Sequence, residues 1–159
     1  MNQDLDLYRP NVGVVLFHAD GRVWLGRRAG TPGPHNWQFP QGGIDPGEAP
    51  EAAARRELAE ESGARSVSLL GRTDGWVTYD FPAGYGGSKA ARGFKGQKQV
   101  WFAFRFDGEE AEFDLAAHVP AEFDAWRWGY LRETPALVVP FKRAAYEAVV
   151  GAFSGFAVT

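Results

Sequence analysis

The chain of 159 residues contains no cysteine and only three histidines, and it lacks any long apolar run. Without cysteine it can form no disulfide, no thiolate metal site and no thiol nucleophile. His18, His35 and His118 are too scattered to suggest a zinc site, so a bound metal should take oxygen ligands. No stretch approaches the roughly 20 apolar residues that a membrane-spanning helix requires. We therefore expect a soluble protein with no membrane partner.

Strong charge of either sign is also missing. The formal net charge of −3 at pH 7 argues against binding nucleic acid through a wholly basic surface, and we expect no DNA partner. A local basic patch is compatible with this charge. The N-terminus, MNQDLDLYRPN, lacks the basic start and apolar centre of a secretory signal, which predicts a cytoplasmic location. The length predicts a single domain over residues 1–159 and leaves the oligomeric state open.

Short runs rich in branched and aromatic residues, bounded by glycine, proline or aspartate, predict β-strands. These runs are VGVVLF, RVWLGRR, SVSLLGRT, GWVTYDF, QVWFAFRF and AWRWGYL. Between the second and third runs, the glycine- and proline-rich stretch from Ala29 to Pro50 predicts an ordered loop. The next segment, EAAARRELAEE, predicts a helix, because Pro50 suits its first turn and Gly63 its end.

A second helix is predicted to begin at Pro140 and to pack on the sheet. The apolar residues that recur there at helical spacing are Phe141, Ala145, Ala148, Val149 and Ala152. The order of elements, without an internal repeat, predicts an α/β (or α+β) fold in which a mixed sheet lies between helices as an α/β/α sandwich.

Three glutamates, Glu57, Glu60 and Glu61, occupy little more than one turn of the first predicted helix. At 100° per residue, Glu60 and Glu61 lie about 60° and 40° to either side of Glu57, so all three can face one volume. A divalent cation would offset their repulsion, and Mg²⁺ or Mn²⁺ suits an all-oxygen site that substrate phosphates complete. The alternative is an ordinary solvated helix face on which Arg56 pairs with Glu60.

The frame around these glutamates resembles the signature of the Nudix hydrolase family, G-x5-E-x7-R-E-U-x-E-E-x-G-U, where U is aliphatic. The matching residues are Gly42, Glu48, Arg56, Glu57, Leu58, Glu60, Glu61, Gly63 and Ala64. Only Ala64 departs, because it is small for an aliphatic position, and we expect a consequence for packing rather than chemistry. The resemblance implies a loop–helix–loop that holds Mg²⁺, an ion pair between Arg56 and Glu48, and hydrolysis of a nucleoside diphosphate linked to a further group.

Segments outside this signature are similar to the bacterial RNA pyrophosphohydrolases of the family and to the related plant-type diadenosine polyphosphate hydrolases. They are YRPNVG, WQFPQGGI, YDFP, GQKQVWF, EFDAWRW and FKRAAY. The resemblance implies that Glu122 and the Gly42 carbonyl join Glu57, Glu60 and Glu61 as ligands of more than one ion. Glu57 is also the candidate general base for the attacking water, and the sequence does not separate its two roles.

The segment from Phe81 to Phe106 contains five basic residues and no acidic one, which predicts a local patch for phosphate groups. The basic residues are Lys89, Arg92, Lys95, Lys98 and Arg105. For Lys89 and Arg92, a solvated glycine-rich loop is an equal alternative.

The resemblance places a second set of residues around the phosphate chain. They are Arg9, Gln97, Lys98, Gln99 and Lys142. Lys142 is predicted in the first turn of the last helix, where the helix dipole adds attraction for anions. Phe141 and Tyr79 are candidates to stack on a base, although an aromatic residue spaced like Phe141 from Ala145 more often belongs to the core.

The resemblance favours a Mg²⁺-dependent pyrophosphohydrolase that removes pyrophosphate from the 5′-triphosphate end of RNA and also cleaves dinucleoside polyphosphates. A dedicated diadenosine tetra- or pentaphosphate hydrolase is the alternative, because neither an extended basic groove nor a second adenine pocket is evident in the sequence. A catalytically silent nucleotide-sensing module would have lost signature glutamates, and none is lost. A plain cation buffer would need no basic segment.

Overall fold

The computed structural model describes residues 4–85 and 93–157, and within these ranges it has eight strands and three α-helices. The strands are β1 (Tyr8–Phe17), β2 (Val23–Arg28), β3 (Trp37–Gln38), β4 (Gln41–Gly43), β5 (Val67–Arg72), β6 (Val77–Asp80), β7 (Gly96–Phe106) and β8 (Phe123–Gly129). The helices are α1 (Pro50–Ser62), α2 (Thr134–Leu137) and α3 (Arg143–Phe153). Each run predicted as a strand overlaps one observed strand, and both predicted helices are present. That residues 1–159 form one domain remains a prediction.

The strands form the predicted mixed sheet, with β1 and β7 parallel at its centre and the other pairs antiparallel. The strand order is β3-β2-β1-β7-β5, while β4 also pairs with β1, β6 with β7, and β8 with β2. β1 pairs with β2 only where Phe17 meets Val23, and the part of β1 from Asn11 to Gly13 pairs with β4 instead. β4 therefore lies against the middle of the sheet, directly before α1 in the chain.

The central strands are buried on both faces. Along β1, Val14 packs in a core cluster that includes Leu58 of α1, whereas Val15 packs in a second cluster that includes Val149 of α3. Because neighbouring strand residues point to opposite faces, α1 and α3 cover the two sides of the sheet. The predicted α/β/α sandwich is confirmed, and Ala64 lies fully buried in the α1 cluster. Among the described residues, no helix is long and apolar enough to cross a membrane.

The stretch from Ala29 to Pro50, predicted as a loop, contains β3 and β4. Both are short, and β4 consists of a glutamine and two glycines with low strand propensity. Its strand conformation comes from antiparallel pairing with β1, where Gly42 lies opposite Val12. Tertiary pairing thus overrides local propensity at this point.

The last helix lies where it was predicted, but the prediction of which residues it buries was partly wrong. α3 follows a 3₁₀ turn at Pro140–Lys142, and its buried residues are Ala145, Tyr146, Val149 and Phe153. Ala148 and Ala152 are exposed. Tyr146 and Phe153 each remove far more apolar surface from water than an alanine does, so the helix turns these aromatic residues to the sheet.

Candidate active site

Arg56 ties the loop before α1 to the helix itself. Its guanidinium donates two hydrogen bonds to the Glu48 carboxylate and one to the Gly43 carbonyl, each at 2.9 Å. The hydrogen bonds from Arg56 are the main reason that the pKa of Glu48 is lowered to about 2. The predicted ion pair between Arg56 and Glu48 is confirmed, and it holds the end of β4 against α1.

The same guanidinium contacts two of the three clustered glutamates. Arg56 Nη1 lies 2.8 Å from Glu57 Oε1 and 3.5 Å from Glu60 Oε2. The Arg56–Glu60 ion pair, which a solvated helix face would also show, is thus present, but it is longer than the Arg56–Glu57 pair. Across the described ranges, no three acidic or histidine side chains converge on a common point as a ready metal cage. Arg56 instead draws Glu57 and Glu60 towards itself and offsets part of their repulsion.

Glu61 is a buried carboxylate without a partner. Its side chain is 7% exposed, and neither carboxylate oxygen meets a hydrogen-bond donor among the described residues. Burial raises the pKa of Glu61 well above its usual value, and the negative charges of Glu57 and Glu122 raise it further. An unpaired buried carboxylate is costly, whereas a divalent cation would satisfy it. The side chains at this position therefore fit the oxygen-ligated cation predicted from the sequence.

Gly42 lies directly against the Glu57 carboxylate. A Cβ atom at position 42 would stand 2.0 Å from Glu57 Cδ and 2.2 and 2.3 Å from its two carboxylate oxygens. Only glycine permits this approach of a carboxylate to the backbone. The structure therefore brings together two residues that were predicted to share a metal site, although their role as ligands remains a prediction.

We expect Gly42→Ala to fold normally but to lose activity. The added methyl group would displace the Glu57 carboxylate, which lies at the end of a flexible side chain and can rotate away while the backbone stays in place. Misplacing this group should lower kcat by about 100-fold, with little change in Tm. Gly75→Ala is the matched control, because a Cβ at Gly75 meets nothing within 4 Å. A Gly42→Ala variant with the kcat of the parent protein would contradict the prediction.

Two pockets adjoin at this face of the protein. The acidic pocket, of about 250 Å³, is lined by Gln41, Glu57, Glu60, Glu61, His118, Pro120 and Glu122. The basic cleft, of about 510 Å³, is lined by Arg9, Asn11, Arg28, Gln38, Gln41, Gly42, Phe81, Tyr85, Gln97, Glu122 and Lys142. Because Gln41 and Glu122 line both, an anion in the basic cleft would lie beside the carboxylates of the acidic pocket.

The positive charge of the basic cleft comes from three different elements. Arg9 is in β1, Arg28 ends β2, and Lys142 ends the 3₁₀ turn before α3. Among the lining residues that the structure describes, Glu122 is the only acidic one. The Arg9 guanidinium lies so close to Gly43 that a Cβ there would stand 2.1 Å from Nη2. Cations spread around a cleft in this way suit a chain of phosphate groups.

Lys142 is a buried cation in this cleft. It is 7% exposed, and its Nζ donates a hydrogen bond to Gln38 Oε1 at 3.4 Å. Burial lowers the pKa of Lys142 to about 8, and the charge of Arg28 contributes in the same direction. Lys142 precedes α3 instead of lying within its first turn, so the prediction from the helix dipole was inaccurate in position. Its predicted place beside the phosphates is nevertheless consistent with the cleft.

An aromatic wall, formed by Tyr79, Phe81, Tyr85 and Phe141, stands beside the basic cleft. The Phe141 centroid lies 5.7 Å from that of Tyr79 and 5.5 Å from that of Tyr85. Tyr79 is 7% exposed, and its hydroxyl accepts a hydrogen bond from Gln41. Burial raises the pKa of Tyr79 to about 12. Tyr79 is therefore better placed to support the wall than to stack on a base, whereas stacking on the half-buried Phe141 remains a prediction.

Two residues predicted to bind phosphate, Lys98 and Gln99, are not among the described residues that line the basic cleft. Side chains alternate along β7, so Lys98 points away from Gln97, and its Nζ lies 5.1 Å from the centroid of the Trp76 ring. Gln99 is fully buried, and its amide donates to Asn11 Oδ1 at 2.8 Å. The position of Lys98 does not support contact with phosphate. Gln99 instead holds Asn11, which does line the cleft.

The other described residues of the basic segment are paired elsewhere. Lys95 lies 3.6 Å from Asp80, and Arg105 lies 2.9 Å from Asp107. Lys89 and Arg92 lie outside the described residues. Closeness in sequence does not put these cations on one surface, since a strand turns alternate side chains to opposite faces.

Arg28 is a candidate binding residue that the sequence did not single out. It follows Arg27, whose guanidinium pairs with Asp124 at 2.7 Å, and both arginines line a separate pocket beside Asp124, whereas Arg28 also lines the basic cleft. A basic pair at the end of a strand is the available signal, but it also describes an ordinary solvated edge. Gln38, Asn11 and His118 line the two pockets and were likewise missed.

We expect Arg28→Ala to lower kcat/KM for a polyphosphate substrate by at least about 10-fold, because a charge-assisted hydrogen bond to phosphate is lost. Lys98→Ala should change it by less than about 2-fold, since Lys98 lies over Trp76 outside the described cleft. Steady-state kinetics on the two variants would check the ranking. The opposite ranking would return Lys98 to the site and remove Arg28 from it.

Comparison with known proteins agrees with this geometry. The profile of the NUDIX domain matches residues 7–149. The chain is 70% identical over 151 residues to an RNA pyrophosphohydrolase of Caulobacter vibrioides, covering 94% of this chain and 88% of that protein. It is 52% identical over 151 residues to the RNA pyrophosphohydrolase of Rhodospirillum rubrum, covering 95% and 90%.

Solved structures share the fold at low sequence identity. The Escherichia coli dihydroneopterin triphosphate pyrophosphohydrolase superposes with a TM-score of 0.66 at 24% identity, covering 91% of this chain and 98% of that one. A Caenorhabditis elegans Ap4A hydrolase binary complex gives 0.63 at 17% identity, covering 92% and 98%. Nudix hydrolases generally need divalent metal ions. Because the signature glutamates Glu57, Glu60 and Glu61 line the acidic pocket and the NUDIX profile matches most of the chain, the chain belongs to the Nudix family.

Proposed function

We propose that this protein is a Mg²⁺- or Mn²⁺-dependent pyrophosphohydrolase that removes pyrophosphate from the 5′-triphosphate end of RNA and also hydrolyses dinucleoside polyphosphates. The observation that carries the proposal is the junction of the basic cleft with the acidic pocket at Gln41 and Glu122. A polyphosphate has the charge to fill the cleft and, through bound cations, to reach the carboxylates. The names of relatives that are 70% and 52% identical to this chain favour RNA as the substrate.

Four carboxylates would together hold more than one cation. They are Glu57, Glu60, Glu61 and Glu122, with the carbonyl of Gly42 as a further ligand. Bound divalent ions supply neutralisation of phosphate charge and acidify water. The unpartnered oxygens of Glu61 support this assignment most directly, because a buried carboxylate gains most from a cation.

The protein's own groups position the substrate and move one proton. Arg9, Arg28 and Lys142 would bind the phosphate chain and orient it towards the acidic pocket. Glu57 would accept the proton of the attacking water, and burial raises its pKa in the direction that makes it a stronger base. Arg56, 2.8 Å from Glu57, would keep that carboxylate oriented. Water adds to phosphorus, a phosphoanhydride bond breaks, and pyrophosphate leaves.

A dedicated diadenosine polyphosphate hydrolase is the second candidate. The Ap4A hydrolase among the structural neighbours supports the fold alone, because its identity to this chain is 17%. We also propose a cytoplasmic location, where 5′-triphosphorylated RNA would be available, and neither a DNA nor a membrane partner.

The test is a direct comparison of the two substrates. Purified protein with Mg²⁺, and separately with Mn²⁺, is given a 5′-triphosphate RNA and diadenosine tetraphosphate at equal concentrations. We expect 5′-monophosphate RNA and pyrophosphate as products, at a higher kcat/KM than for the dinucleotide. Rapid cleavage of the dinucleotide with RNA untouched would favour the second candidate. Cleavage of neither substrate would refute both.

A further inference from the structure

A second basic surface, formed by Arg55, Arg65, Arg72 and Trp76, lies on the face of the sheet that α1 covers. Its arginines lie on and beside α1 and on β5. The phenylalanines of β7 beneath them pack in the core cluster that includes α1. The basic cleft lies on the other face of β7, where Gln97 lines it, because neighbouring strand residues point to opposite faces. The second basic surface is therefore separate from the cleft.

Two of the arginines lie over a stacked pair of aromatic rings. Arg72 Cζ is 5.2 Å from the centroid of the Phe102 ring. Arg55 Cζ is 5.0 Å from the centroid of the Phe104 ring. These two rings have centroids 6.2 Å apart and planes inclined by 17°. Two guanidinium groups from different elements are thus held side by side by the rings below them.

The charge of this surface is only partly neutralised. Arg55 pairs with Glu51 at 3.2 Å, whereas Arg72 forms no ion pair among the described residues. Arg55 also lines a pocket of about 200 Å³ together with Arg65, and no described residue that lines this pocket is acidic. The second basic surface is therefore locally positive, although the net charge of the chain is −3.

Trp76 adds an exposed aromatic ring to the row of arginines. It is 39% exposed, although a buried position would remove far more apolar surface from water. It directly precedes β6, whose first residue pairs with Gln99, so it lies beside the part of β7 that leads to Phe102. Lys98 Nζ lies 5.1 Å from the centroid of its ring and supports it. Exposed rings beside cations are typical of surfaces that bind single-stranded nucleic acid.

We propose that the second basic surface binds the RNA chain downstream of its 5′ end, as a single strand. Arg55, Arg65 and Arg72 bind backbone phosphates, and a base stacks on Trp76. An RNA whose 5′ end lies in the basic cleft reaches this surface by passing around β6, which pairs with β7 alone among the described strands. The inference rests on the proposed function, because it extends the site of that same RNA substrate.

Binding of an RNA without a 5′-triphosphate tests the surface separately from hydrolysis. The probe is a 5′-hydroxyl oligoadenylate of about 15 nucleotides, a length within the range of single-strand sites. It is titrated with Mg²⁺ by fluorescence anisotropy, beside a trimer of the same base. We expect a Kd at least about 10-fold lower for the longer chain, because only this chain extends over several cations and a ring. Equal Kd values for the two chains would overturn the proposal.

A double variant assigns the binding to the arginines, since one exposed ion pair alone contributes little. Arg55→Gln/Arg72→Gln should raise the Kd of the longer probe by about 10-fold. It should also reduce the slope of log K against log salt by about 1.4, as for two phosphates of a single strand. Arg22→Gln/Arg132→Gln is the matched control, because it removes the same charge from two arginines that also lie over aromatic rings. Equal Kd values in the two double variants would refute the proposed surface.

The ring is tested in the same assay. Trp76→Ala should raise the Kd of the longer probe by about 5-fold, and Trp76→Phe should retain most of the binding, because stacking requires only an aromatic face. Tyr130→Ala is the control, because Tyr130 is 41% exposed and also carries an arginine over its ring. An unchanged Kd in Trp76→Ala would contradict the proposal. Displacement of the RNA by polyglutamate at equal charge would also overturn it, because an acidic polypeptide has no base to stack.

The outcomes separate this surface from the proposed function. If the longer probe binds as expected but no triphosphate RNA is hydrolysed, the enzymatic proposal fails and the surface stands. If triphosphate RNA is hydrolysed while the two double variants bind the longer probe equally well, the surface fails and the enzyme stands.

Discussion

Glu61→Gln should reduce turnover of a 5′-triphosphate RNA by about 1,000-fold or more, which makes it one of the two strongest tests of the site. Cation binding supplies several kcal/mol of transition-state stabilisation, and each 1.36 kcal/mol is a factor of ten. Glu61 is the carboxylate whose two oxygens are both buried and without a donor among the described residues. The amide of glutamine has nearly the same shape but lacks the charge that holds a divalent ion.

The same variant should lose the thermal shift that the metal produces. A ligand at 100 times its Kd stabilises the folded state by about 2.7 kcal/mol, which corresponds to roughly 5–10 °C in Tm for a chain of this length. We expect that shift for the parent protein with Mn²⁺ and little of it for Glu61→Gln, measured by scanning calorimetry. Glu147→Gln is the control, because Glu147 is exposed on α3. A full Mn²⁺ shift and full turnover in Glu61→Gln would refute the metal assignment.

Lys142→Met should make the protein more stable and much less active. A lysine whose pKa falls from its usual 10.5 to about 8 through burial costs the folded state about 3 kcal/mol at neutral pH. Methionine fills a similar volume without a charge to desolvate, so Tm at pH 7 should rise by roughly 5–10 °C. We also expect kcat/KM to fall by about 100-fold, because a charge-assisted contact to phosphate is lost.

The pH dependence gives this prediction a definite sign. Between pH 8 and 10.5 the unfolded chain keeps the Lys142 proton that the folded protein has lost, so stability of the parent protein rises with pH across that window. The stability difference from Lys142→Met should therefore be widest at pH 7 and shrink towards pH 10. Lys98→Met should show neither effect. A constant difference at all pH values would mean that the Lys142 ammonium is not desolvated.

The helix with its glutamates was predictable because its signals are local. Pro50 at the first turn, Gly63 with a φ of +83° at the end and strong helix formers between them define α1 without reference to the rest of the fold. Once α1 is a helix, the spacing of Glu57, Glu60 and Glu61 places them on one side of it. The signature then identifies the chemistry that such a group of carboxylates serves.

The residues of the basic cleft were harder to predict because their arrangement is not local. The segment from Phe81 to Phe106, with its five basic residues, suggested a patch, yet Lys95, Lys98 and Arg105 are engaged elsewhere. The cations of the cleft come from separate elements, and Arg28 is among them because β2 ends at this residue beside the cleft. No spacing in the sequence marks residues that meet only when the strands are paired.

By itself, the sequence determined the family signature, the main helices, the mixed sheet and the carboxylates on α1, because each depends on periodicity or on residues within a few turns of one another. Tertiary structure decided which cations line the basic cleft, that Gly42 lies against Glu57, and that both oxygens of Glu61 are buried without a donor among the described residues. The reason is geometric: strand pairing and burial, which join residues far apart in the chain, determine which side chains share a pocket and which acceptors remain without a donor.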